Sequence, residues 1–573
     1  MLSKEKLSKD KEKWVITAAW PYVNTVPHLG TMLHLLSGDV ITRYHKLRGH
    51  KVVYVSGSDA HGTPIVVAAE QEGILPEKLA RKYHQKVLQL LEQWNIDFDK
   101  YTITNNPIHI SFVQNFHKKI YENGFFNLQT SEQYYCQQCQ RFLPDRFVEG
   151  TCPKCGIKGA RGDQCSNHKC EVILKPSDLL DPYCSTCEAT PVIKETKHWY
   201  FNLPAFENEL QQFLEENVII PNFAKQKALS MIDEGLIERP ISRDLSWGIS
   251  IDPIFGEEFA NKVLYVWFEN VLGYVSTVKL LAEEQGQPEK FQDFWFDKKT
   301  RTVFCLGKDN IIFHALLFPA LLLATKDPYP LPQGLAVTNF LMFKEGPFSK
   351  SKGIGIWGDE AVAILPADCW RYYLLANRPE LKDVYFDWDE FVKAINTDLN
   401  DVIGNFVNRI LSFITKNFDE KIPPRGEPNS EDKELIRSVE EAINGYIDAM
   451  DNLQLKAATN IVTAIARQGN QYFSSTEPWH KIKSDKEKVG TILNLSITIV
   501  RVLATLLWPI IPSVAEKLWN ALGFDERIED NKLPVIISHD SMKNQLIKKI
   551  PPLFNKISAK NVQKKLKQVR NGL

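Results

Sequence analysis

The sequence has little that would tie it to a membrane or an export route. Its two longest apolar stretches are Ala315–Thr325, too short to cross a bilayer, and Leu495–Pro512, interrupted by Arg501. The N-terminal MLSKEKLSKDKEK is lysine-rich with no apolar segment behind it, so a cytoplasmic protein without a signal peptide or membrane contact is expected. Internal repeats are absent, which argues against a solenoid, and low-complexity sequence is absent before the basic C-terminus. Net charge is only −1, which alone neither favours nor excludes a nucleic-acid partner. The 44% hydrophobic and 24% charged residues suit a folded chain, and 573 residues are too many for one core. Three or four domains are expected.

What is present is concentrated. Eight of the ten cysteines fall between Cys136 and Cys187, mostly as CxxC, which in a reducing compartment points to metal rather than disulfides. Cys136-x2-Cys139 and Cys184-x2-Cys187 bracket Cys152-x2-Cys155 and Cys165-Ser166-Asn167-His168-Lys169-Cys170. Each knuckle offers two soft ligands, and two knuckles make a tetrahedral site for Zn2+. The nested order assigns one zinc to Cys136, Cys139, Cys184 and Cys187, and a second to Cys152, Cys155, Cys165 and either His168 or Cys170. No ligand is left over for water, so both zincs are read as structural.

Trp14–Ala19 reads as a buried strand, Thr31–Leu47 as an amphipathic helix and Lys51–Val55 as a second strand, the opening of a parallel α/β nucleotide fold. Turn residues take over between about Gly124 and Pro191, and Arg301–Leu306 with helical Asn310–Ala324 resumes the fold. After about Asp389 the periodicity is helical nearly to Glu529, a separate bundle. The expected organisation is an α/β catalytic fold in two halves, 1–124 and 246–340, split by a zinc-knuckle insertion, 125–245. A loop region, 341–390, a helical domain, 391–535, and a basic tail, 536–573, follow. From Ser541 onward there are nine Lys/Arg and no acid, a candidate phosphate-binding arm.

Two segments carry candidate chemistry. Pro27-His28-Leu29-Gly30-Thr31 lies between the first strand and first helix, where free N–H groups attract phosphate and His28 can donate to it. Pro347-Phe348-Ser349-Lys350-Ser351-Lys352-Gly353 is a polar loop whose lysine can neutralise pyrophosphate. With AAWPYVNTVPHLG, GSDAHGTPI, FLPDRF, GTCPKCG, ISRDLSWGI, VLYVWFE, LGKDNIIFH and GNFVNR, these segments resemble the class I aminoacyl-tRNA synthetases with their HIGH and KMSKS signatures. Within them the likeness is to the methionyl-tRNA synthetases, in the form found in archaea and some bacteria, up to about residue 525.

The resemblance implies a Rossmann-type parallel sheet, a helical anticodon-binding domain, and the substrates ATP with Mg2+, L-methionine and tRNA(Met). It implies catalysis by His28, Thr31 and Lys350, with Pro27, Gly30, Ser349 and Ser351 completing the ATP site. The methionine pocket would comprise Ala19, Tyr22, Asp59, Trp267, Tyr274 and His314. Asp59 would pair with the ammonium, and the aromatic rings would wrap the thioether. Asn405, Arg409 and Trp479 would read the anticodon, the tryptophan by stacking on a base. The family's usual CxxC favours His168 over Cys170. No C-terminal dimerisation module is recognised, so a monomer is expected.

Three positions depart from the pattern. Thr31 replaces the usual His or Asn, and Pro347 replaces the first lysine of KMSKS. Asn270 stands where a small residue is usual, and its amide would go unpaired beside a thioether, at a cost of about 1–3 kcal/mol. These departures leave two alternatives: a paralogue with another amino-acid specificity or an inhibitor-resistant pocket, and a non-catalytic RNA-binding protein.

Overall fold

The structure, a computed structural model, describes residues 12–572 except 145–146, 163–164, 166–169, 171–173, 175, 217–218, 344–347, 349–353 and 538–541. Its centre is a five-stranded sheet of β1 (Lys13–Ala18), β2 (Lys51–Ser58), β3 (Lys100–Ile103), β4 (Arg301–Gly307) and β5 (Gly334–Thr338). The spatial order is β5-β4-β1-β2-β3, and every pairing is parallel, with Val15 beside Val53 and Thr302. Layers of helices cover both faces, so the central strands are near-continuous apolar runs. The chain order reverses between β1 and β4. Ligands of such sheets lie beyond the C-terminal ends of the strands at that switch point.

Helix α1 (Leu29–Leu47) follows β1 and packs against β1, β2 and β4. It starts at Leu29 because His28 is its cap: the His28 backbone is extended, and its Nδ1 accepts the Thr31 amide at 3.2 Å. The expected helix over Asn310–Ala324 is present after a short turn at Lys308–Asn310, with a π-helical turn at Phe313–Leu317 running into an α-helix at Phe318–Ala324. The wide turn carries His314, a placement often seen at functional sites.

Between β3 and β4 the chain leaves the sheet as a long antiparallel ribbon, Phe126–Cys136 against Val192–Phe201, with Phe126 opposite Phe201 and Tyr135 opposite Val192. Cys136 ends the first ribbon strand, and the other knuckle cysteines lie beyond it around the small sheet formed by Val148–Thr151, Lys158–Arg161 and Leu180–Cys184. After Trp388 the chain is helical, with long helices at Asn405–Asn417, Ser430–Asp451, Leu455–Ser475 and Lys486–Leu507. Among the described residues only Lys486–Leu507 is long and apolar enough to cross a membrane, and its apolar window is wholly buried in the bundle.

The basic C-terminal tail is partly folded onto the body. Ala559–Gly572 is an amphipathic helix that buries Val562 and Leu566 and packs against the helix Gly358–Ile364. Arg570 bonds the Glu360 carboxylate at 2.6 and 2.9 Å and the Gly355 carbonyl at 2.6 Å. The lysines lie on the outer face; Lys560, Lys564, Lys565 and Lys567 are exposed.

Candidate active site and metal centres

The first strand and first helix meet at the two segments that the sequence singles out. The backbone pairs directly: Leu29 N–H donates to Ile356 at 3.1 Å, and Gly358 N–H donates to Pro27 at 2.8 Å. Phe348 stacks on the His28 imidazole with centroids 4.0 Å apart. Desolvation holds His28 neutral, its pKa lowered to about 4. Because Nδ1 accepts from Thr31, the imidazole proton belongs on Nε2, which lies 3.5 Å from the Thr31 hydroxyl and can donate. Gly30 keeps this turn open, since a Cβ there would lie a tight 3.0 Å from the His28 ring. Ser349, Lys350 and Ser351 lie outside the described residues, as does Pro347; their neighbours Phe348 and Ile354 are described.

The second half of the site gathers around Asp59, at the end of β2. Its backbone is woven into the segment after β1: Asp59 N–H donates to Pro21 at 2.8 Å, and Val23 N–H donates back at 3.1 Å. The side chain is 1% exposed and accepts from the Asn270 amide at 2.9 Å and the His61 backbone N–H at 3.2 Å. Burial and the nearby Glu269 push the Asp59 carboxyl well above the usual range. Glu269 itself is fully buried and bound by the His61 imidazole at 2.9 and 3.0 Å. Asn270 is thus not the orphaned amide that the sequence suggests, because a carboxylate 211 positions earlier in the chain satisfies it.

Aromatic side chains complete this half. Tyr22 meets Trp267 edge-on at 6.5 Å, and Trp267 stacks on Phe313 at 3.9 Å. Tyr274 hydroxyl and His314 Nε2 are 2.8 Å apart, and His314 Nδ1 lies 3.0 Å from the Asn310 carbonyl. That carbonyl can only accept, so Nδ1 carries the proton and Tyr274 donates to Nε2. Burial lowers the His314 pKa to about 4, so the ring adds no charge. Ala19 anchors the segment through its N–H to Cys305 at 2.8 Å. The structure therefore brings Ala19, Tyr22, Asp59, Trp267, Tyr274 and His314 to one end of the sheet. Trp20 was missed in the sequence: its ring fills the space that a Cβ on Gly57 or Gly273 would occupy, 2.3 and 2.6 Å away. His61, Glu269 and Phe348 were missed too, although GSDAHGTPI and VWFE contain the first two.

In the insertion, the Cys136, Cys139, Cys184 and Cys187 sulfurs lie within 4.8 Å of one another, with Cys136–Cys187 at 3.4 Å and Cys139–Cys184 at 3.9 Å. A tetrahedron with Zn–S bonds of about 2.3 Å has sulfur–sulfur edges of about 3.8 Å, so the set fits zinc. The second set is Cys152, Cys155, Cys165 and Cys170, with Cys155–Cys165 at 3.5 Å. The structure does not test the expected His168. It lies outside the described residues; Cys170, its alternative, completes a thiol set of four that could hold a metal ion.

In the bundle, Arg409 lies over the rings of Phe473, at 4.9 Å, and Trp479, at 5.8 Å, and bonds Ser474 at 3.2 Å. Trp479 stands 41% exposed after a turn in which Glu477 has φ +44° and Pro478 opens the next helix. Asn405 is exposed one helical turn before Arg409. The three form one surface.

Comparison with known proteins now bears on this arrangement. The family described as "tRNA synthetases class I (M)" matches residues 14–411, and the "Anticodon binding domain of methionyl tRNA ligase" matches 422–570. The methionine–tRNA ligase of Korarchaeum cryptofilum is 43% identical over 559 residues, covering 97% of this chain and 98% of that one. The chain belongs to the class I methionine–tRNA ligases. The Pyrobaculum aerophilum ligase is 42% identical over 565 residues, covering 98% of this chain and 97% of that one. Mycobacterium tuberculosis methionyl-tRNA synthetase in complex with methionyl-adenylate superposes with a TM-score of 0.77 at 24% identity, covering 95% of this chain and 100% of that one. That likeness concerns the fold. The family match also carries the ligase signature through the basic C-terminal helix, beyond residue 525.

Proposed function

We propose that the chain activates L-methionine with Mg-ATP at the switch point of the sheet and transfers it to tRNA(Met). One observation carries this reading: the α1 cap and the segments flanking the SKSK loop meet beside a buried carboxylate walled by aromatic rings. In the first step a methionine carboxylate oxygen attacks the α-phosphorus, the α–β bond breaks, and pyrophosphate leaves with the bonding electrons. In the second, the terminal adenosine hydroxyl attacks the adenylate carbonyl and AMP leaves. Mg2+ would neutralise the triphosphate.

The chain's own groups supply positioning and charge. The α1 amides and His28 Nε2–H face the phosphates, with Thr31 and Lys350 stabilising the charge that develops on them. Asp59 receives the methionine ammonium, whose positive charge favours the ionised carboxylate. Trp267 and Tyr274 hold the thioether. The two thiol sets hold structural zinc, and Asn405, Arg409 and Trp479 read the anticodon. The test is an active-site titration with methionine, γ-labelled ATP and pyrophosphatase, without tRNA. One burst of phosphate per chain is expected, absent without methionine. Lys350→Ala should slow the burst by about 10²-fold or more with little change in methionine affinity, because its charge acts as pyrophosphate leaves. A burst as fast as the parent's would remove the loop from the chemistry.

A further inference from the structure

Asp59 poses a problem that the family pattern does not solve in this chain. Its carboxylate is 1% exposed, and a second carboxylate, Glu269, is fully buried nearby. Two buried acids side by side favour protonation of one or displacement of its side chain, and either would spoil a receptor for an ammonium group. Each acid has its own partner here. Glu269 is bracketed by His61, with Nδ1 2.9 and 3.0 Å from its oxygens. Asp59 Oδ1 accepts the His61 backbone N–H at 3.2 Å, and its Oδ2 accepts the Asn270 amide at 2.9 Å.

Asn270 is itself 2% exposed and ends the short helix Val266–Asn270, which also carries Trp267 and Glu269. That helix therefore sets the aromatic wall, the acid that must be neutralised and the donor to Asp59 as one rigid unit. Asn270 is one of the three departures noted in the sequence, and its amide is committed to the carboxylate.

We infer that Asn270 is a positioning residue for amino-acid selection: by donating to Asp59 it fixes the carboxylate that receives the substrate's α-ammonium. This deepens the proposed function and rests on its assignment of Asp59. Replacing the amide removes a hydrogen bond to a charged group, so the loss should appear in recognition of the ammonium. It should not appear in the thioether contacts or in ATP binding.

The experiment uses the full chain, inhibition of methionine-dependent pyrophosphate exchange, and two probes. L-Methioninol has the thioether and the ammonium; 4-(methylthio)butan-1-ol is the same molecule without the ammonium. Asn270→Ala and the near-isosteric Asn270→Leu both remove the donor, and Leu keeps the volume, so a folding failure of one variant leaves the other informative. For both variants, methioninol inhibition should weaken about 10-fold or more, as should the methionine KM, with kcat and the ATP KM within about 3-fold of the parent. Inhibition by the deamino probe should not change. Equal weakening of both probes, or full recovery in the Leu variant, would show that Asn270 shapes the pocket, and would overturn the inference. So would unchanged methioninol binding. The parent result separates the two levels: if the parent protein binds both probes equally well, the assignment of Asp59 to the ammonium fails first.

Discussion

The cysteine-rich insertion and the helical bundle are attached to the same sheet by different means. The insertion leaves on a two-stranded ribbon, and its cysteine-bearing end has a small core, with cysteines making up four of its ten buried members among the described residues. The base of the insertion, with Phe126, Phe201 and Leu210, packs in the apolar core on the sheet beside Val15 and Phe304. Its cysteine-bearing end, by contrast, touches the catalytic fold through Val66 and a partly exposed Arg141–Glu70 pair at 2.6 Å on the helix Thr63–Glu72. Such a pair contributes about 0–1 kcal/mol. The bundle instead shares one continuous apolar core with the sheet, in which Leu36 and Tyr44 of α1 cluster with Val500 and Leu503. A fully buried Arg371 bonds Asp39 of α1 at 2.6 Å, the Pro509 and Ile510 carbonyls at 2.9 and 2.8 Å, and the Asn95 carbonyl at 2.9 Å. The cysteine-bearing end of the insertion should therefore depend on metal and behave as a separate unit, whereas sheet and bundle should unfold together.

The largest effect should come from metal. Cys136→Ala should reduce bound zinc from two ions to one and unfold much of the insertion, since structural zinc in small domains contributes on the order of 10 kcal/mol. Hydrogen exchange should show lost protection at Leu180–Cys184 with β1 and β2 unchanged. Protection lost throughout the sheet would erase the distinction between the two attachments.

Arg371→Ala comes next. It strands carbonyl acceptors from both bodies and weakens the neutralisation of Asp39, a change worth about 3–5 kcal/mol. Urea unfolding should shift while probes in sheet and bundle stay coincident. Two separated transitions, with only the bundle's moved, would mean that the shared core does not couple them.

Trp479→Ala should have the smallest effect, about 1–3 kcal/mol in recognition of tRNA, the usual worth of one stacked base. Methionine-dependent pyrophosphate exchange should be untouched. Kinetics with parent and anticodon-swapped transcripts check this, and equal charging of both by the variant and the parent would remove the bundle surface as the anticodon reader.

The contrast between the regions also decides what could be read from sequence. Zinc knuckles are legible because their ligands are adjacent in sequence, and the parallel α/β opening because strand and helix differ in period. The choice between His168 and Cys170 is not legible in sequence: both lie in one CSNHKC run, and only the path of the chain can decide which reaches the cluster. The pairing of Asn270 with Asp59 was equally hidden, since it joins two segments that only the fold brings together. The C-terminal helix was masked by its lysines, which dominate the charge pattern while Val562, Leu566 and Val569 keep a helical spacing beneath. Stacking of Phe348 on His28 follows from backbone pairing at Ile356 and Gly358, which no local signal announces.

The central claim is that one site at the end of β1 and β2 selects methionine and joins it to ATP. Pyrophosphate exchange measured separately with each of the twenty amino acids, without tRNA, tests it most directly. Strong exchange with methionine, and exchange at least about 10²-fold weaker with every other amino acid, is the predicted result. Preference for another amino acid, or no exchange with any, would contradict the account.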